Sequence, residues 1–148
     1  MAPELRPLSA PEIRKALKVP LYLTRISAGS FSPADDYLEK RLDLNEYLIR
    51  HEAATFCFRV TGDSMTGAGI FSGDLLVVDR ALKAQNGAVI VAKLGGDLVC
   101  KRLKLVKGKV FLAPENPAYP TLEITPDMEG FEVCGVVTHN IHSHGARS

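Results

Sequence analysis

The chain has 148 residues, of which 46% are hydrophobic and 24% are charged, and its formal net charge at pH 7 is +1. These values are typical of a globular protein that buries a core, and they exclude a disordered chain and a uniformly basic protein that coats nucleic acid. No apolar run approaches the roughly 20 residues that a membrane-spanning helix needs, and the N-terminus lacks the apolar core of a signal peptide. We therefore expect a cytoplasmic protein that does not associate with a membrane.

The cysteines Cys57, Cys100 and Cys134 are an odd number and lack the paired spacing of a disulfide framework. Each of them lies in an apolar, strand-like context. Buried free thiols in a reducing compartment are the simplest interpretation.

The first 30 residues differ in character from the rest of the chain. Four prolines break them into pieces too short for a long helix, which favours an extended arm in which residues 21–26 can form a strand. The arm runs into Ser27-Ala28-Gly29-Ser30. Composition alone favours a flexible linker at this point, but small side chains and the backbone freedom of Gly29 also suit a segment that enters a protease cleft.

Two helix-start signals follow the arm. Ser32 is a good N-cap with Pro33 at the first helical position. Asp43 and Glu46 have the spacing of a second capping signal. The pattern predicts two short helices rather than one long helix. Apolar residues would line one side of the first helix: Tyr37, Leu38 and Leu42.

From Thr55 onward, short runs of β-forming residues alternate with turn residues about every ten positions. The strongest turn signals are Asn86-Gly87 and Gly95-Gly96. Such spacing predicts a mainly β fold, an antiparallel and partly closed structure with one small helical unit beside it. The polar tail from His139 to Ser148 is expected to fray. The predicted strands are 55–60, 75–79, 88–92, 98–103, 110–112, 122–124 and 131–137.

Lys101 is anomalous for its predicted strand, because on a period of two it shares a face with apolar Val99 and Leu103. If the amine is buried, its pKa falls, and a neutral amine at physiological pH is a usable general base. The pattern alone favours the alternative in which the stem packs and the amine reaches water. Lys93 is equally ambiguous but adjoins a glycine turn, where solvent is near.

Ser64 stands in Thr61-Gly62-Asp63-Ser64-Met65, where a predicted strand gives way to a turn. A serine at such a junction presents its hydroxyl, and the backbone at Asp63 and Met65 can supply N–H groups that stabilise an oxyanion or position the serine. A hydroxyl is a poor nucleophile unless a base lies within about 3 Å. Without such a partner the segment is a plain turn.

Other chemistries find less support in the sequence. A Ser-His-Asp site is not excluded, but His51 lies at a predicted helix end and the other histidines lie near the C-terminus. His142 and His144 could touch a metal but lack a third ligand at a sensible spacing. Cys57 lies between two phenylalanines, which is typical of a core position rather than of a nucleophile. No phosphate-binding loop or dinucleotide motif is present, and we predict neither a metal nor a cofactor.

Three motifs, in this order, resemble the peptidase domain shared by LexA-type repressors and UmuD-type mutagenesis proteins, the S24 family of self-cleaving Ser-Lys peptidases. They are Gly62-Asp63-Ser64-Met65, the run from Ser72 to Asp79, and Val99-Cys100-Lys101-Arg102-Leu103. The resemblance covers roughly residues 20 to 140, and the UmuD type is the closer match. Further segments are similar to that type: Phe31 to Tyr37, Arg41 to Asn45 and Gly135-Val136-Val137.

The resemblance implies a LexA/UmuD-like fold, in which short and mostly antiparallel strands with one or two short helices follow an extended N-terminal arm. It implies that Ser64 is the nucleophile and Lys101 the general base, and that the chain cuts itself between Ala28 and Gly29. UmuD-type proteins commonly have cysteine where this chain has Ala28, whereas LexA-type sites use alanine. The expected parts are an arm of residues 1–28 and a peptidase and dimerisation domain of residues 29–148.

The resemblance also implies partners. A RecA filament on single-stranded DNA would stimulate the cut, and the trimmed homodimer would join a UmuC-type polymerase in error-prone translesion synthesis during the SOS response. No sequence-specific DNA binding is expected. Two alternatives stay open, a fragment of a LexA-type or phage-type repressor and a non-catalytic module that docks to the polymerase. Against the repressor, 28 proline-broken residues cannot hold a helix-turn-helix domain; a signal peptidase, which also uses Ser-Lys chemistry, needs a membrane anchor.

Overall fold

A computed structural model describes residues 6–7, 18–22 and 38–145. In these ranges the chain forms an eight-stranded antiparallel sheet and a separate two-stranded antiparallel sheet. The prediction of a mainly β, antiparallel fold is confirmed. The strands of the described ranges are β1 (Arg6–Pro7), β2 (Lys18–Tyr22), β3 (Leu38–Asp43), β4 (Thr55–Arg59), β5 (Leu75–Asp79), β6 (Val89–Leu94), β7 (Asp97–Val106), β8 (Lys109–Ala113), β9 (Leu122–Ile124) and β10 (Glu132–Ile141). The same ranges contain the α-helix α1 (Leu44–Leu48) and short 3-10 turns at Glu52–Ala54 and Thr66–Ala68.

The large sheet has the spatial order β1-β4-β5-β10-β6-β7-β8-β9, and the small sheet pairs β2 with β3. The last long strand, β10, therefore lies between β5 and β6 and joins the two halves of the large sheet. Three strands, β5, β10 and β6, separate β4 from β7. This order matters for function, because Ser64 lies in the loop that follows β4, Lys101 lies on β7, and the two residues are expected to form a pair.

Two clusters of buried side chains hold the sheet together. Alternate residues of β6 enter different clusters, since successive side chains of a strand point to opposite faces. Val91 belongs to the first cluster, whereas Ile90 and Ala92 belong to the second. The first cluster also contains Phe58, Met65, Ile70, Leu76 and Val78, and the second also contains Leu103 and Leu112.

Tight turns connect the hairpins where the sequence predicted them. Between β6 and β7, Gly95 and Gly96 have φ of 58° and 90°. Positive φ at both central positions is what a two-residue hairpin turn with the right twist needs, and glycine adopts it without a steric penalty.

The first of the two predicted helices is wrong within the described residues. Its expected residues 32–37 lie outside them, but Leu38–Asp43 is strand β3 and not helix. The strand forms because β3 has a partner in β2, with Val19 opposite Leu42. Tertiary pairing here overrides the local helix signals.

The second predicted helix is present as α1, and its capping residue is the expected one. The Asp43 carboxylate accepts hydrogen bonds from the N–H of Asn45 at 3.0 Å and of Glu46 at 3.4 Å. It thereby satisfies two of the N–H groups that a helix start leaves without intrahelical partners.

The tail was predicted to fray from His139 onward, and this is wrong for its first residues. Strand β10 continues to Ile141 along β5. The Asn140 side chain, on β10, donates to the buried Asp74 carboxylate at 2.9 Å. His142, just after the strand, contacts the same carboxylate. A buried carboxylate needs such partners, and the tail supplies them.

None of the helices in the described part of the chain is long and apolar enough to cross a membrane. The cysteines Cys57, Cys100 and Cys134 are free and partly buried, as predicted.

Gly135 gives a test of the packing between β10 and β5. A Cβ atom at this position would lie 2.6 Å from Val78 Cγ1 and 3.2 Å from the Asp79 carbonyl oxygen. We expect Gly135→Ala to lower the free energy of unfolding in urea by about 1–3 kcal/mol, because the added methyl overpacks a close contact. The matched control is Val133→Ala in the same strand, where the side chain is 38% exposed and the expected loss is under about 1 kcal/mol. Equal losses for both variants would contradict the packing described here.

Candidate active site

Ser64 lies in the loop that connects β4 to β5, and buried neighbours fix this loop. The two ends of the loop are joined by hydrogen bonds from Val60 N–H to Asp74 O at 2.9 Å and from Gly73 N–H to Val60 O at 2.8 Å. Met65 follows Ser64 directly and is only 3% exposed, in the first core cluster. Ser64 is half-buried, and the next residue along the chain, Met65, cannot move without disturbing the core. The position of Ser64 is therefore restrained.

Lys101 reaches Ser64 from β7, 37 residues away in the sequence, and its Nζ lies 2.6 Å from Ser64 Oγ. Strand β7 pairs with β6 over residues 97–102 and with β8 over residues 102–106. Lys101 thus lies where the ladder passes from one partner strand to the other. The Ser64 loop contacts β7 here through the hydrogen bond between the two side chains.

Burial lowers the pKa of Lys101 below the ordinary lysine value of 10.5, and the neighbouring Cys100 thiol acts in the opposite direction with a smaller effect. The physical cause is that a charged ammonium loses hydration in a partly apolar site. Of the two residues that were predicted to share its face, Leu103 belongs to the second core cluster and Val99 packs against that cluster. Lys101 itself is half-buried, and its amine is hydrogen-bonded to the Ser64 hydroxyl.

The pair faces a small cavity of about 160 Å³. Its walls are largely apolar, and Ser64 and Lys101 are among its polar groups. Apolar residues that line it include Phe58, Val60, Leu76, Leu98 and Cys100. A site of this size and character suits an extended backbone with a small side chain better than a bulky polar group.

Residues 114–121 connect β8 to β9 and are called the 114–121 loop below. This loop packs against the Ser64 loop. Glu115 joins the two loops through its main chain, since its N–H donates to Ser64 O at 2.8 Å and its carbonyl accepts from Gly67 N–H at 2.7 Å. Its carboxylate also pairs with Arg102 Nε, next to Lys101 on β7. One residue thus links the serine loop to the strand that carries the lysine.

The neighbours of Ser64 have distinct surroundings. The Asp63 carbonyl accepts from Asn116 Nδ2 at 2.8 Å, and the Asp63 carboxylate accepts from the Tyr119 hydroxyl. The Met65 carbonyl accepts from Ala68 N–H at 3.0 Å. Within the described part of the chain, no group accepts a hydrogen bond from the N–H of Asp63, Ser64 or Met65.

The sequence did not single out Glu115, Asn116 and Tyr119. It predicted only a loop at Pro114-Glu115-Asn116-Pro117, from its two prolines. The contacts of Asn116 and Tyr119 with Asp63 span 53 and 56 residues. No local periodicity or turn signal encodes contacts over such a separation.

Several residues considered from the sequence lie away from the pair. Lys93 is exposed on β6. Of the histidines, His51 Nδ1 lies 2.6 Å from Asp79 Oδ2, His142 contacts Asp74, and His139 Nδ1 lies 3.1 Å from Thr138 Oγ1. Among the residues that the structure describes, no group of three or more metal-ligating side chains comes together. The expected cleavage residues Ala28 and Gly29 lie outside the described residues.

The thiols are poorly suited to nucleophilic attack. Burial raises the pKa of Cys100 to about 11, against a smaller opposing effect of Lys101. Burial also raises the pKa of Cys57. Since the thiolate is the reactive form, both groups are largely unreactive at neutral pH.

Comparison with known proteins identifies the family of this chain. The sequence profile of the Peptidase S24-like family matches residues 20–138, which is most of the chain. The chain belongs to this family. Among curated relatives, SamA of Salmonella typhimurium is 46% identical over 142 residues, which are 96% of this chain and 93% of SamA. MucA of Salmonella typhimurium is 45% identical over 126 residues, 85% of this chain and 86% of MucA.

The LexA repressor of Cupriavidus pinatubonensis is 37% identical over 129 residues, which are 87% of this chain but only 58% of the repressor. MucA and SamA are UmuD-like mutagenesis proteins of the SOS response, so the predicted resemblance to the UmuD type is confirmed. The S24-like family consists of serine peptidases that cleave their own chain, which makes this protein a self-cleaving serine peptidase at the level of its family.

Gly67 provides a test of how the 114–121 loop supports Ser64. A Cβ atom at Gly67 would lie 2.5 Å from the Glu115 carbonyl oxygen, so Gly67→Ala must displace the main chain that holds Ser64 O. We expect the rate of self-cleavage to fall by at least about tenfold, because small displacements of a reacting group are costly in rate. The measurement is the time course of the cut by gel electrophoresis. The control is Ser72→Ala in the same loop, whose exposed side chain should be dispensable; an undiminished rate in Gly67→Ala would show that the loop contact is not needed.

Proposed function

We propose that the protein cuts its own chain between Ala28 and Gly29, with Ser64 as the nucleophile and Lys101 as the general base. The observation that carries this proposal is the 2.6 Å distance between Lys101 Nζ and Ser64 Oγ, together with the burial that lowers the pKa of the amine. A hydroxyl with a neutral amine at hydrogen-bond distance has what nucleophilic catalysis requires.

The steps follow from this pair. The neutral Lys101 amine accepts the proton of the Ser64 hydroxyl while Oγ attacks the carbonyl carbon of Ala28. The tetrahedral intermediate collapses, the C–N bond to Gly29 breaks, and Lys101 returns its proton to the leaving amine. Lys101 then takes a proton from water, which attacks the ester carbonyl; the bond to Ser64 Oγ breaks, Lys101 returns the proton to this oxygen, and the carboxylate of Ala28 is freed.

The backbone around Ser64 is available to stabilise the intermediate. The N–H groups of Asp63, Ser64 and Met65 have no acceptor among the described residues. Oriented backbone donors stabilise a developing oxyanion without reorganisation. We assign this role to the segment 63–65.

In the cell we propose that a RecA filament on single-stranded DNA stimulates the cut. The trimmed chain, residues 29–148, then acts as a homodimer and accessory subunit of a UmuC-type translesion polymerase. This is supported by the identity to SamA and MucA over most of both chains. The proposed cut falls between β2, which ends at Tyr22, and β3, which begins at Leu38.

A cut at that point would separate two pairs of strands. Strand β1 pairs with β4 at the edge of the large sheet, and β2 pairs with β3. Both β1 and β2 belong to the proposed arm of residues 1–28. Removal of the arm would therefore uncover one edge of the large sheet and leave β3 without its partner strand.

Intact mass spectrometry after incubation with the RecA filament tests the chemistry and the position of the cut together. We expect the wild-type chain to lose the mass of residues 1–28, and Ser64→Ala and Lys101→Ala to stay intact, because each lacks one half of the pair. Lys93→Ala, which removes an exposed lysine from the adjacent strand, should cleave normally. A wild-type chain that stays intact, even at high pH, would identify a non-catalytic docking module instead, and a Ser64→Ala chain that is cut would exclude this nucleophile.

The pH dependence of the cut without the filament tests the base. Since burial lowers the pKa of Lys101 from 10.5, the neutral fraction increases as pH rises and saturates above the pKa of the folded protein. We expect the rate to rise by about tenfold per pH unit until it reaches a plateau. Lys101→Arg keeps its charge over this range and should not cleave at any of these pH values. A rate that is independent of pH, or cleavage by Lys101→Ala at alkaline pH, would show that another group is the base.

A further inference from the structure

We infer that Asn116 and Tyr119 are positioning residues for the nucleophile, which hold Asp63 and thereby orient the peptide unit that precedes Ser64. This role rests on the proposed function of Ser64 as the nucleophile. It concerns side chains that neither the motifs of the sequence nor the family match assigns to the reaction. Both residues come from the 114–121 loop.

The contact of Asn116 fixes the direction of one backbone donor. Asn116 Nδ2 donates to the Asp63 carbonyl at 2.8 Å. The Asp63 carbonyl and the Ser64 N–H belong to the same peptide unit, which is planar, and in a trans peptide the two groups point in opposite directions. A hydrogen bond that fixes the carbonyl therefore also fixes where the Ser64 N–H points, and this N–H has no acceptor among the described residues.

Asn116 is itself held in the orientation that this contact needs. Its Oδ1 accepts from the N–H of Ala118 at 3.0 Å, and its main-chain carbonyl accepts from the N–H of Tyr119 at 3.1 Å. Because Oδ1 is engaged by an N–H group, the amide nitrogen is the end that faces Asp63. The loop therefore presents a donor whose direction is set before the substrate arrives.

Tyr119 holds the other end of Asp63. Its hydroxyl donates to the Asp63 carboxylate, although the tyrosine is 43% exposed. The hydrogen bond with Asp63 and the charge of that carboxylate raise the pKa of Tyr119. The raised pKa favours the protonated phenol, which is the form that donates to Asp63. Its ring centroid also lies 5.8 Å from Lys101 Nζ, so the two halves of the site share one neighbour.

The second peptide unit at the nucleophile is held by the same loop. Glu115 N–H donates to Ser64 O at 2.8 Å, which fixes the unit that carries the Met65 N–H.

The Asp63 carbonyl also accepts from Thr66 Oγ1 at 3.2 Å. Because Thr66 would retain part of the restraint, loss of Asn116 should reduce the rate without abolishing it.

The experiment compares the rate of self-cleavage against pH for the wild type, Asn116→Ala and Tyr119→Phe, with thermal unfolding of each protein. We expect Asn116→Ala to lower the plateau rate by about tenfold to a hundredfold, which is less than the loss of a whole oxyanion donor. Tyr119→Phe should lower it by about threefold to tenfold, which is the effect of one ordinary hydrogen bond, because the tyrosine is partly exposed. Neither variant should shift the midpoint of the curve, since Lys101 and the ring beside it are unchanged. Tyr47→Phe, at an exposed tyrosine of α1, is the matched control and should match the wild type.

A double-mutant cycle separates positioning from general support of the fold. If Tyr119 acts through Asp63, Tyr119→Phe should cost nothing further in an Asp63→Ala background. Should Asn116→Ala fail to fold, Tyr119→Phe, which removes a single oxygen, keeps the test intact.

Three outcomes would overturn the inference: plateau rates within about twofold of the wild type, a shifted midpoint in place of a lowered plateau, or an equal effect of Tyr119→Phe with and without Asp63. A wild-type chain that does not cut itself, or a Ser64→Ala chain that does, would instead overturn the proposed function, and with it this role. Ser64→Ala is therefore measured in parallel.

Discussion

The contact on which the rest of the site depends is that between the Lys101 amine and the Ser64 hydroxyl. Neither group is reactive alone at neutral pH, because a free lysine is protonated and a free serine is not acidic. Partial burial changes the first of these properties by lowering the pKa of Lys101. The 2.6 Å distance then allows the neutral amine to act on the hydroxyl. Burial and proximity are both needed, and the fold has to supply them at the same place.

The sheet supplies them through its strand order. The Ser64 loop leaves β4, whereas Lys101 stands on β7, and β5, β10 and β6 lie between these two strands. The loop must therefore span the width of three strands, and it does so with Met65 and Ile70 anchored in the first core cluster. The 114–121 loop then closes the site from β8 through Glu115. The contact between Ser64 and Lys101 thus depends on the whole strand order and cannot form in any single hairpin.

The sequence predicted most strands because they combine β-forming residues with unambiguous turn residues. It also singled out Lys101, from its place between apolar residues, and Ser64, from its place at a strand-to-turn junction, and the family resemblance paired them; the structure places their side chains 2.6 Å apart. It was wrong at Leu38–Asp43, where local helix signals are strong but β2 offers a partner strand, and at His139–Ile141, where polar residues extend β10 along β5. These errors have one cause, since a strand is stabilised by its neighbour and a single segment does not show which neighbour it has. The same limit hid Asn116 and Tyr119, whose partners are more than 50 residues away.

The environment that lowers the pKa of Lys101 also lowers the free energy of unfolding when the amine is charged. The unfolded chain binds the lysine proton more tightly than the folded chain, so the unfolded state holds more protons at pH values between the folded pKa and 10.5. The free energy of unfolding therefore increases as pH rises through this window. Below the window, the ammonium is charged in the folded protein, and its partial desolvation lowers the stability by the full amount. The core clusters and the hydrogen bonds of Glu115 must offset that penalty at neutral pH. Among the described residues, no carboxylate forms an ion pair with the Lys101 amine. Such a carboxylate would stabilise the ammonium, but it would also raise the pKa of Lys101 and so reduce the fraction of neutral amine that the proposed mechanism needs.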